Sequence, residues 1–148
     1  MRLNNNGYLL ITEFEGLSLK PYLCPAGIPT IGYGNTFYPN GSMVTINDKV
    51  ITKQEAFDMF KKVADDFSNK VSKLITYPLN QNQFNACVSF AYNCGITNFK
   101  NSTLLKKVNF NASDLTIKNE FLKWNKANGK VLNGLTKRRQ YESDIYFS

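Results

Sequence analysis

Proline is concentrated in one part of the chain, and this sets the main limit on the fold. Four of the five prolines, Pro21, Pro25, Pro29 and Pro39, lie within residues 18–50. Because proline lacks a backbone N–H and breaks a helix interior, this segment cannot form long helices. The runs "CPAG" and "YPNG" are turn signals, and "PTIGYGNTF" and "MVTI" are short and β-prone. We therefore predict a small antiparallel sheet of three strands here.

Hydrophobic periodicity predicts helices on both sides of this segment. Apolar residues recur at helical spacing in a first helix over about 5–15. The run "ITKQEAFDMFKKVADDFSNKVSKLI" joins a capping box to an apolar stripe, which predicts a helix of roughly 35 Å over about 52–75. From about 80 to 148 the sequence predicts only helices. We predict a single α+β domain: a sheet lobe over about 16–50, this linking helix, and a helical lobe of about 80–148 with the first helix, with a cleft between the lobes.

The chain contains no histidine among its 148 residues, and this removes several classes of enzyme. Ser-His-Asp and Cys-His catalysis and most zinc hydrolases need that side chain, so carboxylates are the first acid–base candidates. The spacing of the three cysteines matches no zinc site, and we expect neither a metal nor a cofactor. Cys87 and Cys94 lie two turns apart on one predicted helix, and we expect both to be buried in the core.

The net charge of +7 favours a polyanionic partner, such as nucleic acid, an anionic membrane face or an acidic wall polymer. Charge alone does not choose among these partners. No run approaches 18 apolar residues, and the N-terminus lacks a signal-peptide core. We therefore expect the protein to be made in a cytoplasm.

One short segment gathers the residues that could carry chemistry. The run "EFEGLSLKPYLCPAGIPTIGYG" contains Glu15, Cys24 and Thr30, with eight and then five residues between them. The residues alone leave two interpretations open: a helix end followed by a hairpin, or an active site. In an active site, a glutamate facing a cleft stays protonated because it is partly removed from water. We expect Glu13, at the same helix end, to be a surface residue.

This segment resembles the N-terminal signature of the phage-type lysozymes (endolysins), glycoside hydrolase family 24, in the branch with Cys where many members have Asp. "ITKQEAFDMF" resembles the start of the family's inter-lobe helix. "LNQNQFNACVSFAYNCGITNFKNSTLLKKVN" and "FLKWNKANGKVLNGLTKRRQYE" resemble its helical lobe. The resemblance implies a muramidase that hydrolyses the β-1,4 bond between N-acetylmuramic acid and N-acetylglucosamine in bacterial peptidoglycan. It also implies host lysis by a phage or prophage.

The resemblance further implies a role for each residue of the motif. Glu15 becomes the general acid, and Cys24 and Thr30 become the base or charge stabiliser and the group that positions water. Gly34 is implied in substrate binding. Cys24 is the departure from the carboxylate pattern, because a thiol stays neutral unless its pKa falls well below about 8.5. The alternative is a packing role for this cysteine.

In the helical lobe, the resemblance implies that Tyr92, Asn93, Asn101 and Ser102 bind substrate. It also implies that one arginine at the start of the last helix supports the catalytic glutamate, and we favour Arg139 over its neighbour Arg138. Each also has a structural interpretation. Tyr92 fits a core position, and the basic run before Arg139 fits a solvated helix face.

Two other functions compete with the muramidase. One is a related enzyme, a lytic transglycosylase or a chitinase; the other is a basic nucleic-acid-binding module. The aromatic residues follow core periodicity rather than alternating with Lys and Arg, so we expect no nucleic-acid partner. We also expect a monomer without stable membrane association, released to the wall through a separate holin-type pore.

Overall fold

Seven helices and four short strands form the chain, and the computed structural model describes all of residues 1–148. The helices are α1 (Asn5–Phe14), α2 (Lys53–Leu74), α3 (Gln81–Cys94), α4 (Ile96–Asn101), α5 (Thr103–Phe110), α6 (Ile117–Leu122) and α7 (Asn133–Tyr146). The strands are β1 (Ser18–Leu23), β2 (Pro29–Gly32), β3 (Lys126–Ala127) and β4 (Lys130–Val131). They pair as two antiparallel sheets, β1 with β2 and β3 with β4, which confirms the α+β class. None of the helices is long and apolar enough to span a bilayer.

The chain divides into two compact units. One is the continuous segment Thr12–Asp65, here called the sheet unit, which contains β1 and β2. The other, here called the helical unit, combines Met1–Ile11 with Asp66–Ser148. The boundaries between the units fall inside α1 and inside α2.

The sheet unit has two strands and not the three predicted. In the β1–β2 hairpin, Tyr22 lies opposite Thr30. The run "MVTI" contributes only one isolated bridge, between Phe37 and Met43. The physical reason lies two residues beyond Met43. There the carboxylate of Asp48 accepts hydrogen bonds from the Thr45 backbone N–H at 2.8 Å and hydroxyl at 2.5 Å, and this turn removes a donor that a strand would need.

Helix α2 begins at the predicted capping box. The Glu55 N–H donates to the Thr52 hydroxyl at 3.1 Å, and the Thr52 N–H donates to the Glu55 carboxylate at 3.2 Å. Along the predicted stripe, Phe60, Ala64 and Val71 are fully buried. The apolar period therefore identified the buried face of this helix.

The helical unit is organised around aromatic contacts between α3, α4 and α6. Helix α3 is capped by Asn80, as predicted, through a capping box with Gln83, and Gly95, whose φ is 94°, follows its last residue. The ring of Phe90 lies 6.0 Å from Phe99 and 5.8 Å from Phe121 between centroids. Helix α7 packs against α3 and α6.

The prediction that everything after residue 80 is helical was wrong in two places. Strands β3 and β4 form a hairpin whose two-residue turn is Asn128 and Gly129, with φ of 52° and 77°. These angles suit the Asn-Gly pair and close a tight hairpin. Helix α6 also starts late, because Asp114 accepts from the Thr116 N–H at 2.9 Å and holds the preceding residues in a turn.

Candidate active site

Glu15 is positioned by the end of the first helix. Helix α1 ends at Phe14, and the Glu15 N–H donates to the Thr12 carbonyl at 3.3 Å. Glu15 is half-buried, whereas Glu13 is exposed, as predicted. The two acids are therefore distinguished by their surroundings, although they are only two residues apart.

The Glu15 carboxylate lies next to Gly34, in the loop that follows Thr30. This loop is closed by Ile31 and Asn35, each of which donates its N–H to the other's carbonyl at 2.9 Å. Gly34 has a φ of 91°, and a Cβ placed on it would lie 4.0 Å from Oε2 of Glu15. A Cβ at that distance would not clash, so space does not select glycine here. The positive φ does, because residues with a side chain rarely adopt it.

A tight turn places Cys24 against Thr30. The Cys24 N–H donates to the Ile28 carbonyl at 3.0 Å, and the Gly27 N–H donates to the Cys24 carbonyl at 2.8 Å, with Gly27 at a φ of 76°. The hairpin then returns through β2, where Thr30 is buried. The Thr30 hydroxyl is close enough to Cys24 to lower the pKa of its thiol.

The turn surrounds the Cys24 sulfur with donors. The backbone N–H of Ile28 has the largest effect and lowers the pKa of the Cys24 thiol, and partial burial opposes it. The Ala26 N–H and the Thr30 hydroxyl lower this pKa further, and the net shift is downward. Donors that stabilise a thiolate make it more abundant near neutral pH. The turn can therefore stabilise the anionic form of Cys24.

The Thr30 hydroxyl has one proton and two acceptors nearby. It donates to the Ile28 carbonyl at 2.9 Å, and it also lowers the pKa of the nearby Cys24 thiol. When Cys24 is a thiol, the Thr30 hydroxyl can keep donating to the Ile28 carbonyl, and its oxygen can accept from the S–H group. When Cys24 is a thiolate, the hydroxyl can rotate and donate to the sulfur instead. Thr30 thus adapts to either protonation state of Cys24.

The residues of the helical unit that were predicted to bind substrate differ in burial and in their contacts. Tyr92 is half-buried, with its ring 5.3 Å from Phe67. Asn93 is exposed, and Asn101 is exposed at the end of α4. Ser102 is buried and caps α5: its hydroxyl accepts from the Leu105 N–H at 3.1 Å and donates to the Phe99 carbonyl at 2.6 Å. Their role in substrate binding stays a prediction.

Arg139 belongs to a buried charge network on α7. Arg138 and Arg139 are buried and both contact the carboxylate of Glu142, so neither belongs to the solvated face that their neighbour Lys137 occupies. Arg139 also donates to the Asn93 side-chain oxygen and, through Nε, to the Trp124 carbonyl at 2.9 Å. The predicted support of Glu15 by Arg139 stays a prediction.

Comparison with known proteins identifies the family. Residues 12–142 match the phage lysozyme family. The chain belongs to this family. It is therefore an enzyme of the lysozyme type, a glycoside hydrolase.

Individual relatives agree with this assignment. The chain is 41% identical over 153 residues to the endolysin of Acyrthosiphon pisum secondary endosymbiont phage 1, covering 100% of this chain and 99% of the relative. It is 38% identical to the endolysin of Bacillus phage B103, and there it spans only 55% of the relative's length. Among solved structures, the endolysin of Escherichia coli O157:H7 phage FAHEc1 matches with a TM-score of 0.91 and 38% identity, covering 100% of this chain and 94% of that one.

The other cysteines correct one expectation. Cys87 is buried, as expected, but Cys94 is only half-buried because it is the last residue of α3, next to Gly95. Burial raises the pKa of both thiols. Neither thiol shares the donor-rich setting of Cys24.

Reasoning from residue types missed two sets of groups. The N–H donors of Ala26 and Ile28 come from the backbone, and only the turn signal "CPAG" pointed to them. The partners of the α7 arginines, Glu142 and Ser89, were missed as well. An arginine followed four residues later by a glutamate on one predicted helix could have indicated that pairing.

Proposed function

We propose that the chain is a muramidase that hydrolyses the β-1,4 bond between N-acetylmuramic acid and N-acetylglucosamine in peptidoglycan. In this proposal Glu15 is the general acid, Cys24 is the base or stabilising anion, and Thr30 positions the attacking water. The relatives are endolysins of phages, and this supports lysis of a host cell wall as the biological role.

One arrangement supports the proposal: the sheet unit contains a half-buried carboxylate, a thiol whose anionic form is stabilised by the surrounding turn, and a buried hydroxyl that lowers the pKa of that thiol. Glu15 lies beside Gly34, in the loop after Thr30, and Cys24 lies against Thr30. Glycoside hydrolysis needs a proton for the leaving oxygen and a group that activates water. The three side chains supply these functions without histidine or metal.

The proposed step is a single displacement by water. The Glu15 proton passes to the glycosidic oxygen as the bond from the anomeric carbon to that oxygen breaks. Water held by Thr30 bonds to the same carbon, and its proton passes to the Cys24 thiolate. Water enters opposite the leaving group, so the configuration should invert. Proton NMR of the first-formed anomer tests this, and an initial β-anomer would refute inversion.

We further propose a cytoplasmic origin, action as a monomer and release through a separate holin-type pore. The net charge of +7 would help the enzyme bind the anionic polymers of the wall.

The test is turbidity loss of purified peptidoglycan with matched variants. Glu15→Gln keeps the shape of the side chain but cannot donate the proton, so hydrolysis should be abolished with the fold intact. Glu13→Gln changes an exposed acid two residues away and should be near neutral. Equal loss in both variants, or activity retained by Glu15→Gln, would show that Glu15 is not the general acid. Mass spectrometry of the products separates hydrolysis from transglycosylation, because an anhydro product lacks one water.

A further inference from the structure

The helical unit contains a pocket of about 420 Å³ whose walls include both charged and apolar side chains. It lies where α4 and α5 meet the end of α6. Its lining includes Asn101, Leu104, Glu120, Lys123 and Trp124. A pocket of this size with a few polar groups on an apolar wall is typical of a small-molecule or side-chain binding site.

The charged pair in this pocket is unequal. The Glu120 side chain is 3% exposed, whereas its partner Lys123 is 68% exposed. The Lys123 ammonium donates to both oxygens of Glu120, at 2.6 and 2.9 Å. Glu120 is therefore a fixed, desolvated carboxylate whose counter-ion is a surface side chain.

Such a pair can exchange its cation. The Lys123 ammonium can move fully into water at little cost to itself, because its side chain is already 68% exposed. The carboxylate cannot do this, and a buried carboxylate needs a cation and hydrogen-bond donors. An ammonium brought by a ligand can therefore replace Lys123 on Glu120, and the main cost to the protein is the release of a flexible side chain.

We infer that this pocket binds the alkylammonium group of a ligand, with Glu120 as its acceptor and Lys123 as the cation it displaces. The inference rests on the proposed function for the identity of the ligand: the free side-chain amine of the diamino acid in the peptide stems of peptidoglycan. Leu104 and Trp124 offer apolar surface to the methylene chain. The exposed amide of Asn101 offers hydrogen bonds to the peptide.

A purely structural ion pair makes a different prediction from cation exchange. If the pair serves only to stabilise the fold, Glu120→Gln and Lys123→Met should change ligand binding in the same direction or not at all. In cation exchange they act in opposite directions. Glu120→Gln removes the negative charge and weakens binding, whereas Lys123→Met removes the internal competitor and strengthens it.

The binding test uses the single tryptophan of the chain, Trp124, which lines the pocket. Its fluorescence is titrated with a free stem tetrapeptide carrying the side-chain amine, and with the same peptide N-acetylated on that amine. A glycosidase does not cleave this peptide, so binding is measured without turnover. The wild type should bind the free amine about tenfold or more tightly than the acetylated peptide, since a charged hydrogen bond is lost.

The variants decide between the two interpretations. We expect Glu120→Gln to show no preference for the free amine and Lys123→Met to bind it several-fold more tightly than the wild type. Thermal melting reports whether each variant is folded. Should Glu120→Gln not fold, the acetylated peptide and Lys123→Met still carry the test. Equal binding of the two peptides by the wild type, or weaker binding by Lys123→Met, overturns the inference.

Wall hydrolysis separates this inference from the function on which it rests. On peptidoglycan acetylated at its free amines, the KM of the wild type should rise with little change in kcat, and Glu120→Gln should not respond to acetylation. If the wall is hydrolysed without preference for the free amine, the pocket inference fails and the muramidase stands. If the peptide binds as described but no wall is hydrolysed, the muramidase proposal fails instead.

Discussion

Glu142 is the residue at which a single charge change should cost the most stability. Its carboxylate is fully buried on α7 and accepts from Arg138, from Arg139 and from the Ser89 hydroxyl at 2.5 Å. The Arg138 and Arg139 side chains are only 4% and 0% exposed, so water cannot replace the carboxylate. Glu142→Gln would remove the negative charge that both buried guanidinium groups contact. The N–H₂ group of the new glutamine would also face the N–H groups of the arginines and the Ser89 hydroxyl, which donate to Glu142 in the wild type.

The expected loss follows from this geometry. Removing one partner from a buried ion-paired group costs roughly 3–5 kcal/mol. At about 2–4 °C per kcal/mol for a chain of this size, the melting temperature should fall by about 6–20 °C. The matched control is Asp66→Asn, because Asp66 pairs with Lys70 at 2.9 Å with side chains 61% and 50% exposed. A solvent-exposed pair of this kind contributes no more than about 1 kcal/mol, so its melting temperature should fall by at most about 4 °C.

Circular dichroism melts at one pH and salt concentration measure both variants. A similar small shift in the two variants would refute the reasoning, because it would mean that the burial of Glu142 adds nothing to the value of its contacts. A large shift in both would point instead to a general sensitivity of the chain to loss of negative charge.

Three further predictions concern the sheet unit. Cys24→Asp should keep substantial wall-degrading activity, Cys24→Ser should lose much of it and Cys24→Ala most, since only Asp restores an anion; full activity of the alanine variant would leave Cys24 a packing role. Because the donors around Cys24 lower its pKa while burial raises that of Cys94, the Cys24 thiolate should persist to lower pH. Alkylation followed by peptide mapping should then label Cys24 first as pH is raised from 5, and earlier labelling of Cys94 would contradict this. Gly34→Ala and Gly27→Ala should each lose about 1–2 kcal/mol in denaturant melts, because both glycines have positive φ. Gly34→Ala should also lower activity, because Gly34 lies next to the Glu15 carboxylate.

The parts of the fold that were predictable are those with repeated local signals. Helix α2 combines a capping box with an apolar stripe along its length, so several residues indicate the same element. The missing third strand depends on one side chain, Asp48, which competes for the Thr45 donor through a contact that no period encodes. The β3–β4 hairpin had a local signal, the Asn128-Gly129 pair, but strands of two residues leave no alternation to detect.

In the candidate site, too, some features were predictable from the sequence and others were not. The spacing of Glu15, Cys24 and Thr30 is visible in the sequence, and the resemblance gives each a role. The donors that set the pKa of Cys24 are mainly backbone groups, whose direction depends on the turn rather than on residue type. The burial of Arg138 and Arg139 was not predictable, because two adjacent arginines on a helix normally indicate solvent.

The division of the chain also has a consequence for its synthesis. All residues of the sheet unit are consecutive and end at Asp65, whereas the helical unit needs Met1–Ile11 together with Asp66–Ser148. A ribosome adding about 5–20 residues per second therefore delivers a complete sheet unit several seconds before α7 emerges. During that interval the first eleven residues have been made but lack most of their partners. We expect the nascent chain to fold its middle first, with the helical unit closing only after the last helix has left the ribosome; limited proteolysis of stalled nascent chains would show this order.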